Sequence, residues 1–343
     1  MSAFQRLRRT TRDERRQPRR DRIHGLQDKG VSLAQTVDRF TGSLLGLAVG
    51  DAVGTTVEFS PPGMFARVTD MVGGGPFHLD AGQWTDDTAM ALCLATSLLE
   101  CDGFDPDDQM RRYVRWWHEG YLSCTGSCFD IGGTVRGALS RFERTGEAFS
   151  GSTDPQSAGN GSIMRLAPVA LFYASEPAEA LKMAAQSSRT THGADEAVDA
   201  CRLLTAILLG AIAGRDKEEI LSSGFTPSAE TWQVARLAPR IAEISDGSYK
   251  DKSPPGIRGT GYVVESLEAA LWAFYTTETF REGCLAAANL GNDADTTAAI
   301  FGQIAGAHYG RGAIPDAWIR GVAWSDEISL LATRLFQASG LPS

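Results

Sequence analysis

Two short acidic clusters hold the residues of this sequence that are best suited to chemistry. The first is Thr85-Asp86-Asp87-Thr88, and the second is Asp293-Ala294-Asp295-Thr296. Each cluster stands where an apolar helical stretch begins. Carboxylates and hydroxyls are ordinary capping residues there, because the positive end of the helix dipole favours them. Each cluster alone therefore predicts only a helix start, with Thr85 as the cap of the first one.

The two clusters together predict a site for hard cations. Four carboxylates that met in a folded protein would repel one another and lose their hydration, so cations would have to neutralise them. Oxygen ligands of this kind suit Mg²⁺ or Mn²⁺ rather than a metal that prefers thiolates. Two such ions about 3.5–4 Å apart can orient hydroxyl groups and activate water. The prediction depends on the two helix starts meeting in the fold.

The elements that must position these clusters are helices. Residues 40–52 are apolar with glycine at close intervals, which predicts a tightly packed, buried helix that ends near the site. Apolar residues recur at three- and four-residue steps in the later part of the chain. No strand-like alternation and no repeat of fixed period is visible, so the sequence predicts one all-α domain. Besides the two helices after the acidic clusters, helices are predicted over 132–142, from Ile163, and over 194–213, 216–221, 261–275 and 328–337.

Composition and charge divide the chain into a basic arm (residues 1–35) and a large acidic domain (residues 36–343). The 343-residue chain is 43% hydrophobic and 22% charged, which is typical of a soluble globular protein. Its net charge is −9, yet residues 1–30 hold ten basic against four acidic residues. An acidic domain argues against nucleic acid as the partner. The arm is either a disordered tail or a segment that orders against an acidic partner surface.

The cysteines and the hydrophobic segments exclude several other classes. Cys124 and Cys128 form a C-x3-C pair, but no second Cys or His pair follows at zinc-finger spacing, so no zinc site is predicted. The arginine-rich beginning lacks a following apolar stretch and is not a secretory signal. No apolar run reaches the roughly 18 residues of a transmembrane helix. We therefore expect a cytoplasmic protein without a membrane partner.

The acidic clusters belong to a set of five motifs that resembles the ADP-ribosylglycohydrolase family. This family includes the dinitrogenase reductase-activating glycohydrolases and the animal ADP-ribosylhydrolases. The resemblance spans about residues 40–310, and the motifs occur in the order that the family has. They are Gly46-Leu47-Ala48-Val49-Gly50-Asp51-Ala52-Val53-Gly54 with Glu58; Trp84-Thr85-Asp86-Asp87-Thr88; Asp130-Ile131-Gly132-Gly133-Thr134; Gly159-Asn160-Gly161-Ser162-Ile163-Met164-Arg165; and Gly291-Asn292-Asp293-Ala294-Asp295-Thr296. Family chains generally begin close to the first helix, so the resemblance says nothing about the arm.

The resemblance implies a single large orthogonal helical bundle with two Mg²⁺ or Mn²⁺ ions in a central cleft. The ions would orient the ribose hydroxyls of ADP-ribose beside the scissile bond. By the same resemblance, six residues would bind the metals: Thr85, Asp86, Asp87, Asp293, Asp295 and Thr296.

Three carboxylates are the candidate catalytic residues: Glu58, Asp130 and Asp87, the last of which is also a candidate metal ligand. Glu58 corresponds to a glutamate of the family's cleft. A carboxylate beside the ribose could transfer protons or stabilise an oxocarbenium ion; the alternative is a solvated loop residue. Asp130 matches the aspartate that arginine-specific members place near the guanidinium, with which a carboxylate can form paired hydrogen bonds. Its alternative role is an N-cap for the next helix.

The candidate substrate-binding residues lie in three further segments. The glycine-rich stretch 159–162 precedes a predicted helix, and bare N–H groups there would suit a diphosphate, although such a stretch is usually a simple turn. His192 resembles a histidine of the family's cleft, or else is a structural hydrogen-bonding residue. Tyr262 could stack on the ligand or merely begin an apolar helix. The full set is Asn160, Gly161, Ser162, Met164, His192 and Tyr262.

The resemblance and the residues together predict a metal-dependent hydrolase that removes ADP-ribose from arginine of a modified protein and so reverses ADP-ribosylation. A serine-linked substrate is the nearest alternative. A second class is an immunity protein of a toxin–antitoxin pair, which would block an ADP-ribosyltransferase toxin through residues 1–32. A catalytically silent relative is disfavoured, since an inactive site has no need of four mutually repelling carboxylates.

Overall fold

The computed structural model describes residues 32–227 and 236–342, and within these ranges the chain is helical. Apart from isolated bridges, the described residues form no strands, so the predicted all-α class is confirmed. Short 3₁₀ turns cover Thr55–Val57, Pro155–Ser157 and Arg311–Ala313. The α-helices of the described ranges are α1 (Leu33–Gly54), α2 (Asp86–Cys101), α3 (Pro106–Glu119), α4 (Gly133–Thr145), α5 (Ala167–Phe172), α6 (Pro177–Arg189), α7 (Asp195–Ile212), α8 (Lys217–Ile220), α9 (Pro239–Ser245), α10 (Val263–Thr276), α11 (Phe280–Ala288), α12 (Ala294–Tyr309), α13 (Asp316–Gly321) and α14 (Ser325–Ala338).

The centre of the fold is the antiparallel pair of helices α1 and α12. Four glycines at four-residue steps form one stripe along α1, and a Cβ on any of them would collide with backbone atoms of α12. The missing side chains let the two backbones touch. From one end of the pair to the other, the contacts are Gly42 with Gly306, Gly46 with Gly302, Gly50 with Ala298, and Gly54 with Ala294.

This packing decides where the chemistry lies. Because the helices are antiparallel, the first turn of α12, with Asp295, lies beside the last turn of α1, with Asp51. The segment Leu33–Val57 is long and apolar enough to cross a membrane by length and composition, contrary to the absence of such a run predicted above. However, nearly all of its apolar part is buried inside the protein, as expected of a core helix.

The observed helix boundaries correct the predictions in two places. α1 begins at Leu33, before the stretch 40–52 that predicted it and within the segment predicted as the basic arm, after a capping box formed by Ser32 and Gln35. No helix begins at Ile163: the segment 161–165 is a series of turns, and α5 starts at Ala167. The predicted helices 132–142, 194–213, 216–221, 261–275 and 328–337 correspond to α4, α7, α8, α10 and α14.

A buried glutamine of α12 explains the turns before α5. The side-chain amide of Gln303 donates to the carbonyl oxygens of Ile163 (3.1 Å) and Met164 (2.8 Å) and accepts from the N–H of Ala167 (2.8 Å). These bonds replace those that a longer helix would make. The glycine-rich segment is therefore fastened to α12, the helix that also carries the second acidic cluster.

Candidate active site

Asp51 caps the helix that carries the first acidic cluster. This fully buried carboxylate accepts four hydrogen bonds: from the N–H and hydroxyl of Thr85 (both 2.9 Å) and from the N–H (3.0 Å) and hydroxyl (2.6 Å) of Thr88. Burial raises the pKa of Asp51 to about 6, and the bonds from the two threonines oppose that rise. The end of α1 thus fixes the start of α2.

The role of Thr85 differs from the predicted one. It occupies the N-cap position of α2, but its side chain makes no capping bond, because Asp51 receives the N–H groups instead. The hydroxyl oxygen of Thr85 lies 3.4 Å from Asp87 Oδ2 and 3.3 Å from Asp295 Oδ2. A hydroxyl freed from capping can serve as an oxygen ligand in the cluster.

The two acidic helix starts meet. Thr296 Oγ1 of α12 lies 3.4 Å from Asp87 Oδ2 of α2, and Thr85 Oγ1 of the first cluster lies near Asp295 Oδ2 of the second, as described above.

The two remaining carboxylates of the clusters are Asp293 and Asp86. Asp293, just before α12, accepts a 2.7 Å hydrogen bond from the side-chain amide of Asn160. Asp86 is buried close enough to Asp87 for their charges to interact.

Glu58 lies in this same cluster rather than in a solvated loop. It follows the 3₁₀ turn after α1 and is 4% exposed. The neighbouring backbone pairs with the loop before α12: the Phe59 N–H donates to the Asn292 carbonyl (2.6 Å), and the Asn292 N–H donates to Ser60 (2.8 Å). Phe59 and Asn292 both have left-handed backbone conformations, with φ of 57° and 55°. The paired loops hold Glu58 against the start of α12.

Asp130 also joins the cluster, and it does not cap α4. The N-cap of that helix is Gly132, without a side-chain capping bond. Asp130 itself has a left-handed φ of 55°, a conformation uncommon outside glycine that concentrates at functional sites. Carboxylate oxygens of Glu58, Asp130 and Asp295 all lie within 4.8 Å of one another.

Burial and mutual repulsion make these carboxylates weak acids. Burial raises the pKa of Asp86, Asp87 and Asp295 well above the usual range, and the charges of neighbouring carboxylates raise it further. The same two causes raise the pKa of Glu58 to about 10 and that of Asp130 to about 7. Without a cation the cluster therefore takes up protons.

The cluster suits divalent cations that prefer oxygen ligands. Asp87 Oδ1 and Asp295 Oδ1 are buried, and neither has a hydrogen-bond partner within the described ranges. A buried carboxylate oxygen without a partner is costly. Cations would supply the missing partners and remove the repulsion. The residues present therefore fit the hard-cation site that the sequence predicts.

The stability of the metal-free protein is expected to fall between about pH 4 and pH 7. A carboxyl group whose pKa is raised by folding gains a proton in the folded state, so its stabilising contribution is lost as the pH rises through the folded pKa. Those values are about 6 for Asp51 and about 7 for Asp130, and they are higher still for Glu58, Asp86, Asp87 and Asp295. The lowered pKa values of His192 and His308 act in the opposite sense below about pH 6.5, but these are two groups against six. Thermal unfolding of chelator-treated protein across this range checks the sign, and a melting temperature that rises with pH would contradict it.

The glycine-rich segment lies beside the cluster as a turn, not as a helix start. The Asn160 N–H donates to the Gly261 carbonyl (3.1 Å), whereas the N–H groups of Gly161 and Ser162 meet no protein acceptor within the described ranges. Met164 is buried. Two neighbouring N–H groups without partners can bind an anion whether or not a helix follows.

His192 lies beneath this turn, and Tyr262 lies at its edge. A Cβ on Gly161 would meet the His192 ring, which is buried. Burial and the charge of Arg165 lower the pKa of His192 to about 3, so the ring is neutral. The Tyr262 hydroxyl donates to Glu196 (2.6 Å), and Tyr262 precedes α10.

Sequence reasoning missed an aromatic rim, a cluster of three rings of which two are next in the chain to carboxylates of the site. We use this name for Phe59, Phe77 and Phe129, whose ring centroids are 6.3 Å (Phe59 to Phe77) and 5.2 Å (Phe77 to Phe129) apart. Phe59 follows Glu58 in the chain, and Phe129 precedes Asp130. Phe59 is 65% exposed. The signal available in the sequence was a phenylalanine next to Glu58 and another next to Asp130.

Comparison with known proteins agrees with this geometry. The sequence model of the ADP-ribosylglycohydrolase family matches residues 32–343, nearly all of the described chain. The chain belongs to the ADP-ribosylglycohydrolase family. The resemblance that rested on five motifs is thereby confirmed.

Members of the family at substantial identity include two bacterial proteins named ADP-ribosylarginine hydrolase Tri1. The one from Pseudomonas putida (strain GB-1) is 48% identical over 313 residues, which cover 91% of this chain and 82% of that protein. The one from Serratia proteamaculans (strain 568) is 42% identical, covering 88% of this chain and 80% of its own. The ADP-ribosyl-[dinitrogen reductase] glycohydrolase of Rhodospirillum rubrum is 33% identical, covering 82% and 89%.

A solved structure of the family shares the fold. It is described as an ADP-ribosylglycohydrolase-related protein complex and is 44% identical to this chain. The TM-score is 0.79, and the match covers 90% of this chain and all of that one. The predicted helical architecture of the ADP-ribosylglycohydrolase type is therefore confirmed.

Proposed function

We propose that this protein removes ADP-ribose from arginine side chains of modified proteins by metal-dependent hydrolysis of the N-glycosidic bond. The observation that carries the proposal is the convergence of two acidic helix starts with Glu58 and Asp130 in one buried cluster. Two relatives of the chain are named ADP-ribosylarginine hydrolases, which supports arginine as the linkage.

Two Mg²⁺ or Mn²⁺ ions are the proposed cofactors. When bound, such ions supply positive charge that orients ribose hydroxyls and lowers the pKa of a water molecule. The residues that would hold them are Thr85, Asp86, Asp87, Asp293, Asp295 and Thr296. Asn160 would keep Asp293 in place through the 2.7 Å bond from its amide.

Hydrolysis breaks the bond between the ribose anomeric carbon and the guanidine nitrogen. Water adds to the carbon, and a proton passes to the leaving nitrogen. Glu58 is the proposed proton donor, because its burial, which bound cations would not remove, raises its pKa and favours the protonated form. Asp130, within 4.8 Å of Glu58, is proposed to hold the guanidinium through paired hydrogen bonds.

The aromatic rim favours arginine over serine as the linkage. A guanidinium is planar and positively charged, and its faces bind to aromatic rings while its edge pairs with a carboxylate. Phe129 and Asp130 are adjacent in the chain and offer one partner of each kind. A serine-linked substrate carries no cation at this position, so it would use neither the rim nor Asp130.

Replacement of Asp130 by asparagine is expected to lower kcat/KM for an ADP-ribosylarginine peptide by about 100-fold, the value of a lost charged hydrogen-bond pair. The assay measures ADP-ribose released from arginine-linked and serine-linked peptides by both proteins. Glu143→Gln, on the exposed side of α4, is the matched control and should behave as wild type. Equal loss on both linkages would show that Asp130 does not select arginine.

The alternative of a toxin-blocking immunity protein rests on the basic arm. Residues 1–31 of that arm lie outside the described residues, so this alternative stays a prediction from the sequence. It is compatible with hydrolysis, because the arm and the carboxylate cluster are separate parts of the chain.

A further inference from the structure

Arg165 is a cation without an acidic partner. Its side chain is completely buried, and within the described ranges no carboxylate forms an ion pair with it. The guanidinium lies 4.6 Å from the ring centroid of Tyr113 and otherwise reaches only neutral groups. A buried charge without a counter-charge is costly, so a group that brings negative charge close to Arg165 would relieve that cost.

The first neutral group is the glycine-rich turn. Arg165 Nη1 donates to the carbonyl oxygen of Gly161 at 2.8 Å. That carbonyl shares its peptide unit with the N–H of Ser162, which meets no protein acceptor in the described part of the chain. A charged donor on one side of a peptide unit strengthens the N–H on the other side, because hydrogen bonds in series polarise one another.

The second neutral group is the hydroxyl of Thr191, which also contacts His192. Arg165 Nη2 donates to Thr191 Oγ1 at 2.7 Å, and that oxygen lies 2.9 Å from His192 Nδ1. With one lone pair of the Thr191 hydroxyl taken by Arg165, its hydrogen is available to Nδ1. The imidazole is then an acceptor at Nδ1 and carries its hydrogen on Nε2.

The Nε2 edge of His192 lies against the turn. A Cβ on Gly159 would come within 3.3 Å of Nε2, and a Cβ on Gly161 would come within 3.2 Å of Nε2 and 2.8 Å of Cε1, so a side chain at Gly161 would require the ring to move. Nε2 has no protein hydrogen-bond partner within the described ranges. Both series of hydrogen bonds from Arg165 thus end in an N–H group at the same turn, one on Ser162 and one on His192.

We propose that Arg165 and Thr191 are positioning residues for an anionic group bound at this turn. They fix the tautomer of His192 and polarise the Ser162 N–H, although neither side chain reaches the ligand. The anion is a diphosphate. This identification rests on the proposed function, in which the ligand is ADP-ribose; the hydrogen-bonded series itself does not depend on it.

The tautomer of His192 tests the hydrogen bonds from Arg165 through Thr191 to His192, and this test needs no ligand. Nitrogen-15 spectra of protein with labelled histidine distinguish the two neutral tautomers, and His192→Gln assigns the signal among the five histidines of the chain. Wild type is expected to carry its hydrogen on Nε2. Thr191→Val, which keeps the shape but removes the hydroxyl, should shift the population towards Nδ1–H. Thr191→Ser is the matched control and should keep the wild-type tautomer.

Binding of ADP-ribose tests the functional part. Thr191→Val is expected to weaken the Kd for ADP-ribose about tenfold relative to Thr191→Ser, the effect of about one hydrogen bond. Adenosine, which lacks the diphosphate, should bind both variants equally in competition. A merely structural role of Thr191 would weaken both ligands alike or change neither. Arg165→Lys keeps the positive charge but cannot donate to Gly161 and Thr191 through two separate nitrogens. Its affinity for ADP-ribose should therefore also fall, while its affinity for adenosine should not change.

Two results would overturn the proposal. One is an Nδ1–H tautomer in wild-type protein, and the other is equal ADP-ribose affinity of Thr191→Val and Thr191→Ser. Failure of the proposed function would look different: wild-type protein would release no ADP-ribose from modified arginine, whatever the tautomer of His192. Thermal unfolding of each variant identifies any that does not fold.

Discussion

Replacement of Asp295 by asparagine is expected to lower ADP-ribose release by at least about a thousandfold and also to raise the stability of the metal-free protein. The first effect follows because the amide cannot replace an anionic ligand, and metal assistance supplies several kcal/mol of the barrier reduction. The second follows because burial, together with repulsion from the neighbouring carboxylates, raises the pKa of Asp295 well above the usual range. Asparagine removes that charge without requiring a proton.

Loss of activity together with a gain in stability distinguishes a functional cluster from a structural one. Thermal unfolding in chelator should give a higher melting temperature for Asp295→Asn, with a difference that grows as the pH rises. In Mg²⁺ the order should reverse, since only the wild-type cluster gains stability by binding the cation. Asp195→Asn, in the exposed first turn of α7, is the matched control and should change neither property. A less stable metal-free Asp295→Asn would argue that the carboxylate is structural.

Alanine in place of Gly302 is expected to destabilise the protein by about 3 kcal/mol, at the upper end of typical overpacking effects. The added Cβ would collide with the backbone carbonyl of Gly46, and backbone atoms of a buried helix cannot move aside as a flexible side chain can. The helices α1 and α12 would have to separate. Since their adjoining ends carry Asp51 and Asp295, metal affinity should fall as well.

Gly137→Ala is the control for this substitution. Gly137 lies on the exposed side of α4, and a Cβ there meets no atom within 4 Å. Alanine should stabilise that helix by up to about 1 kcal/mol, because glycine is the poorer helix former. Urea unfolding of both variants, with Mg²⁺ titration of the folded protein, gives the comparison. Equal stabilities would show that the glycine stripe does not set the distance between α1 and α12.

The sequence predicted the features that depend on neighbouring residues in the chain. Acidic helix starts followed by apolar turns predicted α2 and α12 and the carboxylates they carry. Close glycines predicted that α1 is buried against another helix. The sequence could not predict which helix packs against α1. Each glycine of α1 contacts a residue of α12 more than 200 positions away, such as Gly302 for Gly46.

Roles that depend on long-range partners were missed. Thr85 looked like an N-cap because threonine commonly caps helices, but Asp51, 34 residues earlier, takes the capping bonds. Ile163 looked like the start of a helix because its apolar neighbours have helical spacing. Gln303, 140 residues later, binds the carbonyl of Ile163 and holds a turn instead. In both cases a buried side chain from α1 or α12 outweighed the local preference.

The most direct test of the account measures ADP-ribose released from an ADP-ribosylarginine peptide by wild-type protein, in Mg²⁺ and in chelator. We expect turnover in Mg²⁺, loss of turnover in chelator, recovery on renewed addition of the cation, and much slower release from the serine-linked peptide. Release that persists in chelator would contradict the assignment of the carboxylates to metal. Release from the serine-linked peptide alone would contradict the assignment of Asp130 to arginine.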